Sequence, residues 1–200
     1  MLPSPYPVDF SERSEFIADE TFVQRWSPRA FDGNALSQDT LDTIFDAARF
    51  SPSAFNAQPW RILCSKADRS DFDRFLALLI ETNQTWARTA SALGFMVARK
   101  NFEHNNKENK WARYDCGFAW AAMTFQANRL GLYTHGMAGI KAEEVYREFG
   151  LDAEVYDVIA GFALGKLSNP EQLPAHFRSK EKPSARKTLP EIYFPGGTLQ

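Results

Sequence analysis

The chain is predicted to adopt an α+β fold, and three stretches carry that expectation. Residues 38–49 put Leu41, Ile44, Phe45 and Ala48 on one helical face. Residues 92–98 form an apolar run too short for a helix and suited to a strand buried on both faces. Residues 114–130 carry Phe118, Trp120, Ala121, Ala122, Met123 and Phe125, a helix apolar nearly all round that needs a sheet, and room for a partner, to cover it.

In chain order, Asp9 and Glu12 suggest a capping box for a first helix ending near Trp26. Ser37 is placed to cap the second helix, which stops before Ser51-Pro52 because a residue preceding proline avoids the α region. Residues 61–64 read as a short strand. Residues 71–80 read as a third helix with Phe72, Phe75, Leu76 and Leu79 on one side. Residues 101–113 are polar and charged, an exposed loop or frayed helix. The long helix ends at Gly131, residues 142–149 form a short helix ending at Gly150, and 155–164 read as a strand. From Pro170 the chain is rich in charge and proline and closes on Leu189, Ile192, Tyr193 and Phe194. Such a terminal stretch either packs on its own domain or serves as a strand or arm embracing a second subunit.

The totals bound the function. At 200 residues, 44% apolar and 24% charged, the chain suits one ordered domain, 1–200, with an arm at about 170–200. A net charge of −2 gives no footing for nucleic acid, and no apolar run approaches a membrane span. The opening residues lack a basic and apolar leader, and Cys64 and Cys116 form no CxxC pair, so a cytoplasmic protein with reduced thiols is expected. His104, His135 and His176 show no metal spacing, so no metal is expected.

Two segments carry chemistry. Pro28 forces Ser27 into an extended conformation, and alternate side chains of an extended chain share a face, so Arg25, Ser27 and Arg29 point one way. Two guanidiniums and a hydroxyl suit a phosphate and an electron-rich ring beside it, although a solvated basic turn would look the same. Between Pro52 and Pro59, which fix the path of the loop, Ser53, Asn56 and Gln58 offer uncharged donors and acceptors suited to the heteroatom edge of a ring, or to capping the loop itself.

Taken together, Arg25, Ser27, Arg29 and Phe31, then a helix, then Pro52, Ser53, Asn56, Gln58, Pro59 and Trp60 resemble the nitroreductase family of flavoproteins. The resemblance runs from about Phe22 to Phe194, through Asn83-Gln84-Thr85-Trp86, Tyr114-Asp115, Gly136-Met137-Ala138-Gly139, Ala163-Leu164-Gly165 and Arg186-Lys187-x-Leu189-Pro190-Glu191. It implies a central, mostly antiparallel sheet flanked by helices, with the C-terminal segment reaching the partner of a homodimer. It implies FMN as cofactor and NADH or NADPH as donor. Carried over residue by residue, Arg25, Ser27 and Arg186 hold the phosphate, with Trp26 in the same stretch. Arg29 sits at the N1/O2 edge of the ring, and Asn83 bonds the ring or ribityl chain. Pro52, Ser53, Ala54 and Asn56 approach from the other subunit, and Gly136, Met137 and Gly139 line the ring. Phe55 and His135 are candidates for substrate contact. Trp86 stands where many larger members have a basic residue, and Ser184 where some have a second terminal cation, a loss that Lys187 is placed to offset. No side chain is assigned as catalytic. The function implied is ping-pong reduction of nitroaromatics, quinones or similar electron-poor small molecules. The alternatives are a non-catalytic flavin-binding or flavin-delivery homodimer, and a scaffold that has lost flavin.

Overall fold

The computed structural model describes residues 4–13 and 16–197. Its elements are α1 (Glu20–Gln24), α2 (Gln38–Arg49), β1 (Trp60–Lys66), α3 (Phe72–Ala77), α4 (Glu81–Ala87), β2 (Ala92–Arg99), α5 (Ala112–Arg129), β3 (Tyr133–Met137), α6 (Ala142–Phe149), β4 (Tyr156–Gly165) and α7 (Ala175–Arg178). The four strands make one antiparallel sheet in the order β1-β2-β4-β3.

The apolar run of β2 occupies an interior position, and its alternation feeds both faces. Leu93, Phe95 and Val97 point into a core shared with Phe72 and Phe75 of α3, Trp86 of α4 and Val145 of α6. Ala92, Met96 and Ala98 point the other way, against Leu41, Ile44 and Ala48 of α2 and Cys116, Ala119, Met123 and Ala127 of α5. The expected α+β class holds, with helices on both sheet faces.

Local capping behaves as its chemistry dictates. The Ser37 hydroxyl accepts the Thr40 N–H, and α2 ends at Arg49 before Ser51-Pro52. Gly131 (φ 74°) and Gly150 (φ 60°) take the left-handed conformation that ends α5 and α6. After α5, the Leu132 N–H donates to the Ala127 carbonyl and the Gly131 N–H to the Asn128 carbonyl.

Four expectations are corrected. The first helix is not continuous: a 3-10 turn, Ser11–Arg13, is followed by the short α1, capped by Asp19. Asp9 turns onto the Ser11 N–H and Glu12 onto Lys182, so no capping box forms. The Arg13 guanidinium donates to the carbonyls of Val23 and Arg25, groups that a straight helix would carry on the order of 15 Å away. The helix expected over 71–80 stops at Ala77, because residues 78–80 pair with 139–141 through Ile80 N–H to Gly139 carbonyl (3.2 Å) and Lys141 N–H to Leu78 carbonyl (2.8 Å). Residues 133–137, for which the sequence predicts no element, form the edge strand β3.

The fourth correction concerns the tail. Up to Ser184 it packs on its own chain: Leu173 and Phe177 are buried, and Gln172 donates to the Phe31 carbonyl at 2.7 Å. Only the stretch from Ala185 onward leaves large apolar groups exposed, namely Leu189, Ile192 and Tyr193, and it forms a 3-10 turn at Leu189–Glu191 rather than a strand.

Within the sheet there is no room for a side chain at Gly94 of β2, where an added Cβ would lie 2.3 Å from both the Leu63 carbonyl oxygen of β1 and Cζ of Phe162 of β4. Backbone cannot yield there as a flexible side chain would. Gly94→Ala is expected to lower unfolding free energy by about 3 kcal/mol in urea denaturation; an unchanged midpoint would contradict this packing.

Candidate functional site

The segment 25–30 runs extended beside β3 and alternates as expected: Trp26, Pro28 and Ala30 are buried, whereas Arg25, Ser27 and Arg29 are half-buried. The Arg25 guanidinium lies 3.5 Å from the Ser27 hydroxyl. Trp26 turns its indole inward against Tyr133, so its backbone is the part that can face a ligand. The Met137 side chain likewise belongs to the core, leaving its backbone beside Gly136 and Gly139.

His135 ties β3 to this segment. Its ring nitrogen Nδ1 lies 2.8 Å from the Pro28 carbonyl, so Nδ1 carries the proton and donates it. Its ring packs on Trp86 at 4.7 Å between centroids. Burial pushes the imidazole down to about 4, with the Arg29 charge adding to the effect. His135 is therefore a neutral structural tie whose Nε2 is the atom left to meet a substrate.

Asn83, on α4, donates to the Gly139 carbonyl at 2.9 Å. A Cβ at Gly139 would lie 2.7 Å from that amide and 2.6 Å from Ile80 Cδ1, so any side chain there would have to push the ends of Asn83 and Ile80 aside. That bond uses one N–H of Nδ2, so Asn83 can offer a ligand its second N–H and Oδ1.

Arg186 comes to Arg25 from the other end of the chain. Its guanidinium donates to the Ser184 carbonyl and hydroxyl, and its charge, after burial, holds Arg25 below its ordinary value. A third cation, missed in the sequence, joins them. Arg13 is 8% exposed, and it too is lowered, to about 10, by burial and by Arg186 and Arg25. Among the described residues none of these three pairs with a carboxylate. Like charges gathered this way favour a multivalent anion at their meeting point.

Glu181 was also missed. Its side chain is fully buried, and Oε1 accepts the N–H groups of Arg29 (2.6 Å) and Ala30 (2.8 Å). Oε2 lies 3.8 Å from the Arg29 guanidinium, which is also flanked by the rings of Trp86 and Phe177. Arg29 is thus partly neutralised from behind. Burial pushes the Glu181 carboxyl up, and its two backbone donors oppose that. A lone glutamate in a lysine-rich tail carries no sequence signal for such a role.

The loop after α2 stands elsewhere. Phe55, Asn56 and Gln58 all take positive φ (52°, 53° and 46°), which costs about 1–3 kcal/mol each in non-glycine residues. The loop is held by the Ala54 N–H on buried Asp115 (3.1 Å) and by the Gln58 N–H on the Ser53 hydroxyl (3.0 Å). Pro52 is exposed, and Phe55 is 86% exposed with its ring against Phe102. The loop enters β1, where Trp60 faces Ala98 and through it Asp157, while His135 faces Ala163 on the opposite edge. Strand spacing and rise put these places on the order of 20 Å apart. One chain brings together Arg25, Ser27, Arg29, Asn83, His135, Gly136, Gly139 and Arg186, but not Ser53, Ala54 and Asn56.

The two cysteines are free thiols, both pushed up to about 12 by burial. No helix among the described residues is long and apolar enough to cross a membrane.

A family profile described as the nitroreductase family matches residues 22–91. Comparison with curated protein sequences gave no match. Among solved structures, an oxidoreductase containing FMN is 38% identical, with 93% of this chain and 95% of that one covered and a TM-score of 0.89. A structure from Desulfovibrio desulfuricans in complex with FMN is 22% identical (90% and 96% covered, TM-score 0.71). A nitroreductase family protein from Clostridium difficile 630 is 20% identical (92% and 100% covered, TM-score 0.69). The last two share the fold.

The His135 tie has a pH signature. An unfolded chain takes up the proton below about 6.5, whereas the folded one refuses it until about 4, so the stabilisation is complete above pH 6.5 and is lost as pH falls toward 4. Glu181, with its raised value, works in the opposite sense. The comparison is therefore wild type against His135→Asn, whose amide keeps a donor toward Pro28. The stability advantage of wild type at pH 7 should shrink at pH 5 in urea unfolding; an advantage that grows would contradict the assignment.

Proposed function

The chain belongs to the nitroreductase family, and on that premise we propose that it is an FMN-dependent oxidoreductase, a homodimer with its flavin between the subunits. It would take electrons from NADH or NADPH and reduce nitroaromatics, quinones or similar electron-poor small molecules. The observation that carries the reading is the meeting of Arg25 and Ser27 with Arg186, drawn from opposite ends of the polypeptide. Their charge, paired with no carboxylate among the described residues, fits a phosphate dianion. The 38% identical structure containing FMN supports the same cofactor here.

When bound, FMN supplies two-electron hydride exchange, chemistry that no side chain of this protein provides. The chain's own contribution is placement and charge. Arg25, Ser27 and Arg186 grip the phosphate. Arg29 presents its guanidinium to the pyrimidine edge of the ring, where positive charge favours the reduced state, and Glu181 moderates that charge while fixing the Arg29 backbone. The Asn83 amide, through Oδ1 or its second N–H, and the backbone of 136–139 face the ring or ribityl chain. The site is completed by Ser53, Ala54 and Asn56 of the partner subunit, on the loop that Pro52 directs. The distance between that loop and the arginines within one chain supports a two-subunit site. So do the exposed side chains of Phe50, Phe55, Trp111 and Tyr114, too many large apolar groups for an unpartnered surface. The arm contacting the partner would be the stretch from Ala185 onward. One face serving donor and acceptor in turn gives ping-pong kinetics.

Anaerobic mixing of FMN-loaded protein with NADH or NADPH should bleach the flavin, and a quinone or nitroaromatic should restore its colour. Flavin that ignores both would favour a non-catalytic binding or delivery role. Arg25→Ala should weaken FMN binding roughly tenfold to a hundredfold, the worth of a charge-assisted hydrogen bond. Unfolding of the flavin-free variant should change little, because a repulsive charge is removed. Equal FMN affinity in the variant and wild type would refute the phosphate role.

A further inference from the structure

We infer that Arg13 is a positioning residue for cofactor binding: it locks together the two chain segments that carry Arg25 and Arg186. The inference rests on the FMN reading above. Among the described residues, Arg13 bonds through its buried guanidinium only to neutral backbone oxygens. Nη1 donates to the carbonyls of Val23 (2.6 Å) and Arg25 (2.8 Å), and Nε donates to the carbonyl of Ser184 (2.8 Å). The first two acceptors end the stretch that presents Arg25. The third lies two residues before Arg186 and is shared with it, since Arg186 Nη1 also donates to the Ser184 carbonyl at 3.0 Å. Two peptide units span at most about 7 Å, so fixing Ser184 fixes where Arg186 can reach.

The fork geometry is what permits this. A guanidinium has five N–H donors in one plane and can hold three carbonyls from two segments at set angles. A lysine ammonium keeps the charge but is a single point on a flexible stem. Burying a cation beside two others is unfavourable for the chain on its own, and burial together with Arg186 and Arg25 already lowers Arg13. The arrangement makes chemical sense when the converging charges face an anion that none of them could hold as well alone.

The test compares dissociation constants for FMN and for riboflavin, which lacks the phosphate, by flavin fluorescence in full-length wild type, Arg13→Lys, Arg13→Gln and Lys182→Gln. Wild type should prefer FMN. Both Arg13 variants should lose at least tenfold of that preference while riboflavin affinity stays within twofold. Lys182→Gln breaks the neighbouring ion pair with Glu12 but none of the three carbonyl bonds, and it should keep the preference. If Arg13→Lys behaves as wild type, charge without geometry suffices and the inference is overturned. Equal weakening of both ligands would mean a general structural defect and would overturn it too. If wild type itself does not distinguish FMN from riboflavin, the phosphate reading fails, and the inference fails with it for a different reason.

Discussion

The approach of Arg25 to Arg186 is the constraint around which the rest of the site is arranged. Two cations do not meet spontaneously, and among the described residues no carboxylate pairs with them. Arg13 draws their backbones together through carbonyl oxygens, and Glu181 clamps the N–H groups of Arg29 and Ala30 from the tail. Both ties are made by charged side chains buried on backbone groups, which suits them to fix position. Removing one partner of such a buried arrangement leaves a group unsatisfied, so these ties resist gradual drift.

The sheet makes this possible by fixing β3 on its edge. The ladder between β3 and β4 sets His135, whose Nδ1–H holds Pro28 and with it the extended run of Arg25, Ser27 and Arg29. The pairing of 78–80 with 139–141 brings Asn83 to Gly139. The Arg25–Arg29 run and Asn83 are thus held by bonds to elements already packed in the core. The strained loop at 54–58 is fixed separately, by Asp115 on α5. Two rigid half-sites at opposite edges of one sheet explain how a twofold dimer could assemble a site that neither chain completes.

Much of this was legible in the sequence where the determining physics is local. Ser37, Gly131 and Gly150 mark helix ends because capping depends on a few neighbouring residues. The buried strand at 92–98 shows in its unbroken apolar run. The alternation of Arg25, Ser27 and Arg29 follows from Pro28 alone, and the structure keeps it. What stayed hidden depends on distant partners. β3 is five residues long and contains glycine and histidine, so it has no strand pattern of its own and exists because β4 lies beside it. The helix at 71–80 was overestimated because its last residues find backbone partners at 139–141. Arg13 and Glu181 look like any charged residue until burial shows which carbonyls and amides they serve, and that the side chains of Trp26 and Met137 complete the core emerges only from packing against distant residues.

The most direct measurement is a crystal structure of the protein grown with FMN. The account predicts the phosphate within hydrogen-bonding distance of Arg25, Ser27 and Arg186 of one chain, with Ser53, Ala54 and Asn56 of the partner subunit against the same flavin. A phosphate bound away from these arginines, or a flavin enclosed by a single chain, would contradict it.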